Sequence, residues 1–493
     1  MSRQAEQTEA LRADVAVVGA GAAGLYAALV AAHEGARVVL VSRSPLAETA
    51  SYWAQGGIAA ALAVYDSPEQ HMADTLAAGR GISRPSAVRA LCEEAPAIVR
   101  DLERLGVRFD ADRHGALALG LEGGHSVRRV VHAGGAATGR RITRELSAQV
   151  ATHERIEVLE RATARRLLGS GGRCGGIEVD RVDGSKLHLR AAATVLATGG
   201  AAALWARTTN PPGAVGAGLT LAAHAGVTLA DLEFVQFHPT ALVSEASDGF
   251  LITEAVRGEG ALLVDDAGER FVDELAPRDQ VALAIEHVLR ADDGGRVFLD
   301  LRQIDMTHFP NIAAELRRAG IDPAREPVPV APAAHYTMGG IATDVDGRSS
   351  LPGLLAVGEC ACSGLHGANR LASNSLAECF VFGRRAGLSA AGEPQPVAED
   401  DGAEGLDEPP DPRPSHETRA SLWALAGIER TAEGLRRLLD DAFPLARQVA
   451  ASALARTESR GAHQRADHPK AESRFDGLHG VVRGAEPAFE EWR

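Results

Sequence analysis

Apolar residues recur along this chain in two spacings, and the alternation between them sets out the elements. Residues 14–19, Asp-Val-Ala-Val-Val-Gly, are an apolar run of strand length closed by glycine, which predicts a buried strand. From about 22 to 34 apolar side chains run nearly all round a helical turn, predicting a helix covered on most sides. Ala36–Val41 predicts a second short strand, so the three make a βαβ unit. Residues 85–105 and Arg140–His153 have helical spacing, whereas Ile156–Leu168 and Gly176–Leu189 alternate as antiparallel strands do. Thr194–Ala197 predicts one more buried strand, ending in Thr198-Gly199-Gly200.

From about 238 to 337 the pattern mixes helical and strand patches with loops and closes on Pro327, Pro329 and Pro332. Buried-strand character returns at 354–358. Residues 391–415, rich in Pro, Gly, Glu and Asp, predict a linker. Beyond it Leu435, Leu438, Leu439 and Ala442 fall at i, i+3, i+4 and i+7, the spacing of a helix face. The expected organisation is a nucleotide-binding domain in two pieces, 1–237 and 338–395, an inserted domain at 238–337, a linker at 396–415 and a helical domain at 416–493.

Composition narrows the partners. Lys plus Arg number 51 and Asp plus Glu 66, a net charge of −15 in 493 residues. That balance argues against nucleic acid and anionic membrane, which need a basic footprint. Val15–Ala32 lacks charge and has the length of a membrane span, but it carries three spaced glycines behind a polar, acidic N-terminus. The expectation is a cytoplasmic protein with no membrane segment. Five scattered cysteines suit a reducing compartment, and Cys360-Ala361-Cys362 has no second pair to complete a metal site.

Gly19-Ala20-Gly21-Ala22-Ala23-Gly24 is G-x-G-x-x-G between a strand and a helix, the setting in which the motif binds a dinucleotide. The first glycine makes the turn, the second lets backbone approach a pyrophosphate, and the third lets helix pack on strand. The acid expected about 20 residues on, which would hold a ribose, is missing. Arg43 stands there and by itself suggests the 2′-phosphate of NADP. Three further segments favour FAD, a longer ligand with distributed contacts: Tyr52–Ile58, Val195–Gly200, and Leu351–Glu359, where a strand ends in an acid suited to a ribityl hydroxyl.

These segments resemble the flavoprotein family that contains succinate dehydrogenase, fumarate reductase and L-aspartate oxidase. The match continues through Glu233–Thr240, Thr253–Gly260, Gly268–Phe271, Ala276–Asp279, His335–Ile341 and His366–Leu376, in family order over roughly residues 14–390. The resemblance implies an α/β fold: a Rossmann-like FAD-binding domain, an inserted α+β capping domain and a C-terminal helical domain. Succinate dehydrogenases attach FAD through a histidine five residues before the Gln of the Gln-Gly-Gly loop; Ala50 stands there, so FAD is expected to be non-covalent. In Glu122-Gly123-Gly124-His125-Ser126 the first residue is acidic, as in the aspartate-oxidising members, where dicarboxylate dehydrogenases carry Gln. A carboxylate pairs with an ammonium, which succinate lacks. Glu458–His463 and Leu422–Ile428 resemble the same members.

By resemblance Glu122 receives the substrate ammonium; His238, Thr253, His335 and Arg370 receive its carboxylates; and Arg278 exchanges a proton, with Glu254 and Arg257 as its relay. FAD contacts are expected from Gly19, Ala20, Gly21, Ala22, Ala23, Gly24, Arg43, Ala50, Ser51, Tyr52, Trp53, Ala54, Gln55, Gly56, Gly57, Glu359, Ser375 and Leu376. The implied reaction takes L-aspartate to iminoaspartate with O2 or fumarate as acceptor. The product is unstable, so transfer to a quinolinate synthase is a further expectation, although no segment marks a contact. Two positions depart from the family: Ala136 and Ala217 stand where it usually has Asp, the latter a residue that contacts FAD in relatives. Two other readings stay open at this point, a soluble fumarate reductase or succinate-oxidising flavoprotein and a non-catalytic FAD-binding module.

Overall fold

The computed structural model describes residues 9–291, 294–394, 404–405 and 413–492, so most of the expected linker lies outside the described residues. Strand Glu9–Val18 sits inside an eight-stranded sheet, parallel to Val38–Ser42 on one side and to Lys186–Leu196 on the other. Helix Ala22–His33 joins the first two strands, and Ile156–Glu160 extends the parallel part beyond Val38–Ser42. Val15 and Val17 are fully buried because helices cover their face: Tyr26 of the first helix meets Phe380 of helix Asn374–Ala391 edge-on at 5.4 Å, and helix Pro85–Arg104 joins the same cluster. Continuous apolar strands are what a parallel sheet covered on both faces requires.

Thr194–Ala197 is not a strand of its own. Its first three residues end the single strand Lys186–Leu196, whose two halves have different neighbours. The first half pairs antiparallel with Arg173–Asp180 and alternates in burial; the last three residues pair with Leu354–Ala356 and are wholly buried. The change of pattern marks a change of partner, not a chain break.

Residues 235–337 form a second sheet, in the order Val235–Leu242, Val328–Thr337, Phe298–Asp300, Leu262–Val264, all antiparallel. Helices Arg278–Leu289 and Pro310–Arg318 cover it, and Leu242, Val281, Ile285, Ile312 and Val328 share a core separate from the main one.

After residue 413 come helices His416–Leu425, Ala432–Leu438 and Pro444–Ala455, whose Leu422, Leu435 and Leu445 join the core of the main sheet. The helix through Leu435 stops at Leu438, short of Ala442. There the Asp441 carboxylate accepts the Phe443 amide at 2.8 Å, competing with helical hydrogen bonding, and Pro444 opens the next helix. The region is not helical throughout: Leu478–Arg483 and Glu486–Glu491 form a hairpin that joins Leu229–Ala230, Gly340–Ala342 and Ala361–Cys362 in one sheet. The junction buries charge in pairs. Asp231 meets His479 at 2.6 Å, and Arg456 meets Glu233 at 2.7 Å and Glu458 at 3.2 Å. Among the described residues no helix is long and apolar enough to cross a membrane, and no group of three or more His, Cys, Asp or Glu is set to hold a metal.

Candidate active site

The first part of the site is a cradle at the end of strand Glu9–Val18. Gly19 has φ +112°, and a Cβ there would fall 2.2 Å from the Ala197 carbonyl oxygen. A Cβ on Gly24 would fall 1.9 Å from the Gly19 carbonyl oxygen, so only glycine lets helix Ala22–His33 start this close to the strand. Ala20, Ala22 and Ala23 are buried around this turn. The helix begins at Gly21 with no side-chain cap and no acid in its first turn, leaving a positive helix end suited to a pyrophosphate. Ser51, in the short turn Ala50–Trp53, accepts the Ala22 amide at 3.1 Å and so draws the second loop onto the first.

That loop runs on through Ala54, Gln55, Gly56 and Gly57. Gln55 donates to the Leu251 carbonyl at 3.1 Å across to the inserted region, while its own buried carbonyl oxygen has no partner. The buried Thr198 hydroxyl, at the end of the neighbouring strand, has none either. Glu359 accepts the Thr337 amide at 3.0 Å, and burial pushes its carboxyl up to about 7, an acid short of donors. Unsatisfied polar atoms, a helix end whose one side-chain partner is Ser51 and a donor-poor acid are what an extended, hydroxyl-rich phosphate ligand would complete, so the residues fit FAD. Ala50 offers no atom for a covalent link. Arg43 reaches the Gly213 carbonyl at 3.1 Å on the rim. Tyr52 accepts from Arg144 at 3.2 Å, and Trp53 is 70% exposed, so these two side chains stand apart from the buried cradle. Leu376 is buried at the start of helix Asn374–Ala391, and the Ser375 hydroxyl accepts from Arg370 at 2.9 Å.

The second part lies where the inserted sheet meets that cradle. Strand Val235–Leu242 carries His238 and strand Val328–Thr337 carries His335; their rings meet edge-on, 5.1 Å apart. Both imidazoles are held well below the usual histidine range, first by burial and then by the nearby Arg278 and Arg370. They are neutral at physiological pH. His238 Nδ1 accepts the Thr240 amide at 3.2 Å, which puts the proton on Nε2 and makes that atom a donor. His335 Nδ1 meets the Thr209 hydroxyl at 2.8 Å. Thr253 is buried beside Glu254.

Arg278 opens helix Arg278–Leu289. Its Nε donates to Glu254 Oε2 at 2.6 Å and its Nη1 to Gln236 Oε1 at 3.2 Å. Arg257 lies 3.5 Å from the same Glu254 oxygen, and burial lowers its pKa. Burial alone would raise Glu254, but Arg278 and Arg257 hold it below the usual carboxylate range. Arg370 donates twice to Gln236 Oε1, at 3.2 and 3.0 Å, and lies 4.7 Å above the Tyr336 ring. Burial and the Arg278 charge lower Arg370 to about 10. Glu122 is the other acid. Burial opposes its charge, yet His132, Ser373 and Arg278 hold it down to about 2. Three guanidiniums against two carboxylates leave one positive charge. A ligand with two carboxylates and one ammonium carries the complementary single negative charge.

The structure thus brings Glu122, His238, Thr253, Glu254, Arg257, Arg278, His335 and Arg370 into one buried region. Gln236 was not singled out from sequence, although its oxygen ties Arg278 to Arg370. The available signal was its place two residues before His238 on one strand, which puts both on the same face. Ser373 and His132, the two groups beside Glu122, gave no signal of their own.

Residues 14–376 match the FAD binding domain family and residues 436–483 the fumarate reductase flavoprotein C-terminal family. The fold is similar to that of the FrdA chain of Escherichia coli quinol fumarate reductase, with a TM-score of 0.87, 30% identity, and coverage of 98% of this chain and 97% of that one. The chain belongs to the FAD-dependent flavoprotein family of succinate dehydrogenases and fumarate reductases. Within that family its sequence groups with the L-aspartate oxidases. It is 48% identical to the one from Agrobacterium fabrum, over 92% of this chain and 90% of that protein. It is 44% identical to the one from Mycobacterium tuberculosis, over 93% of each. The cofactor is therefore FAD, and the NADP reading of Arg43 falls away.

Proposed function

We infer that this chain is an enzyme that oxidises L-aspartate to iminoaspartate, the first step of a route to NAD. With O2 as acceptor the balance is L-aspartate plus O2 to iminoaspartate plus hydrogen peroxide; with fumarate the second product is succinate. The observation that carries this reading is Glu122, a buried acid held in its charged form near Arg278 and Arg370, in addition to the Glu254 that pairs with Arg278 and Arg257. A dicarboxylate without an amine has no use for Glu122. Bound FAD supplies the two-electron acceptor.

The chain's own groups bind and orient. Arg370 and the donor face of His238 take carboxylates, joined by His335 and Thr253, and Glu122 takes the ammonium. Arg278, backed by Glu254 and Arg257, holds the proton exchanged at substrate carbon in the fumarate direction. The inserted residues 238–337 close the site against water. FAD is held by Gly19–Gly24, Arg43, the Ala50–Gly57 loop through its backbone at Tyr52 and Trp53, Glu359, Ser375 and Leu376. We assign O2 as one acceptor, a quinolinate synthase as the enzyme that consumes the product, and the cytoplasm as the compartment. The test is anaerobic: FAD-loaded protein mixed with L-aspartate should lose its visible flavin absorbance, and with succinate should keep it. Bleaching by succinate alone would make the protein a dicarboxylate dehydrogenase.

Ala217 begins helix Ala217–His224, behind a left-handed Gly216 and without a side-chain cap. Ala217→Asp adds an acid to a positive helix end and returns the charge that relatives carry there. One charge-assisted hydrogen bond contributes ~1.5–3 kcal/mol, so FAD should bind about ten- to a hundredfold more tightly. Equilibrium dialysis of flavin from the two proteins measures this, and equal dissociation constants would refute it.

A further inference from the structure

Helix Arg278–Leu289 carries the proton-exchange arginine as its first residue, so whatever fixes the helix fixes Arg278. Its Val281 and Ile285 lie in the core of the inserted region, while Ala282 belongs to the main core, which also holds Leu422 and Leu435 of the C-terminal helices. Apolar packing of this kind is non-directional and sets no position along the helix axis. Two ion pairs, one at each end, do set it.

At the first turn Arg80 Nη2 lies 3.1 Å from Asp279 Oδ2 and 3.4 Å from Oδ1. Arg80 has φ +56°, a left-handed backbone that an arginine keeps only where its surroundings impose it. The C-terminal region imposes it. Arg460 Nη1 donates to the Arg80 carbonyl at 2.7 Å, and the Gly477 amide donates to the Gly81 carbonyl at 2.8 Å. A Cβ on Gly81 would fall 3.3 Å from the same Arg460 nitrogen, so the two segments meet closely there. Arg460 is itself held by both oxygens of the buried Glu458, at 2.9 Å each, and by Asp476 at 2.7 Å. Beyond the last turn Arg290 Nη1 lies 3.6 Å from Glu429 Oε2. Glu429 is on a two-residue strand paired with Gln464–Arg465, next to the buried Arg430, which donates to the Glu233 carbonyl at 2.7 Å.

We propose that Arg80 and Glu429 are positioning residues for the reaction: through them residues 429–477 grip both ends of the helix and hold Arg278 in register with the bound substrate. The proposal rests on the reading of Arg278 as the proton-exchange group. Each residue acts through the helix and not on the substrate.

The test uses FAD-loaded enzyme carrying Arg80→Gln, Arg80→Lys or Glu429→Gln, in dye-linked fumarate reduction and in amide hydrogen exchange of residues 279–290 followed by mass spectrometry. Pairs this exposed carry little stability, so the variants should fold. In Arg80→Gln and Glu429→Gln, kcat for fumarate should fall about two- to fivefold with KM unchanged. Exchange should quicken at the end of the helix whose pair is lost. Arg80→Lys keeps the charge and should regain most of the rate. In an Arg278→Gln background Arg80→Gln should cost nothing further, because its effect runs through Arg278. Wild-type kcat in both single variants, or an equal loss in the Arg278→Gln background, overturns the proposal. Wild-type kcat in Arg278→Gln itself overturns the proton-exchange reading and the positioning role with it, whereas faster exchange in the variants would still mark the two pairs as what holds the helix.

Discussion

Arg278→Gln is expected to slow fumarate reduction by roughly a thousandfold, the middle of the range for losing a positioned proton-transfer group. Fumarate becomes succinate by gaining a hydride and a proton, and the proton must arrive at carbon from a group beside it. Arg278 is 10% exposed and fixed by two partners, Glu254 Oε2 at 2.6 Å and Gln236 Oε1 at 3.2 Å. Glu254 is itself in reach of Arg257 at 3.5 Å, so the proton has a charged neighbour to be shared with. Water is a poor substitute in a buried site. Arg278→Lys keeps a charge but not the planar fork that bonds both partners, and should also be slow. KM for fumarate should change far less than kcat, because His238, His335 and Arg370 remain. Dye-linked fumarate reduction measures both, and a loss in kcat below tenfold would remove Arg278 from the proton step.

Glu122→Gln should lower kcat/KM for L-aspartate by about a hundred- to a thousandfold and fumarate reduction far less. Truncating one partner of a buried charge pair costs about 2–5 kcal/mol, and fumarate brings no ammonium to be left unpaired. The pH dependence follows from the same group. A carboxyl lowered from 4.5 to about 2 favours the folded, charged state above pH 4.5, and that contribution is lost only as pH falls through about 2. Between pH 5 and 8, Glu122 therefore stays ionised and adds no inflection to the KM of L-aspartate. An inflection near neutrality that vanishes in Glu122→Gln would contradict this.

The glycine turn at 19–24 and the buried strands around it were legible in sequence because spacing and composition there answer to local geometry. So were the acids, arginines and histidines of the site, through motifs in family order. Gln236 was not, because an amide that bridges Arg278 and Arg370 is defined by partners 42 and 134 residues away. Ser373 was hidden for a related reason: a left-handed serine looks like any other in sequence. The strand through Thr194 reads as two in sequence because burial changes along it when its neighbour changes from Arg173–Asp180 to Leu354–Ala356. The hairpin at 478–491 followed a helical stretch, and nothing local announces that its partner strand lies at Leu229–Ala230.

That hairpin has a consequence for biosynthesis. Leu229, Ala230 and Asp231 emerge from the ribosome some 250 residues before Val481 and Val482, which pair with the first two, and His479, whose ring meets the third at 2.6 Å. Until then the nascent chain carries an open strand edge beside an unpaired acid, just behind the segment that holds His238. Such edges invite pairing with other chains. The edge of Leu229–Ala230 is covered on this side only once residues 478–482 have been made.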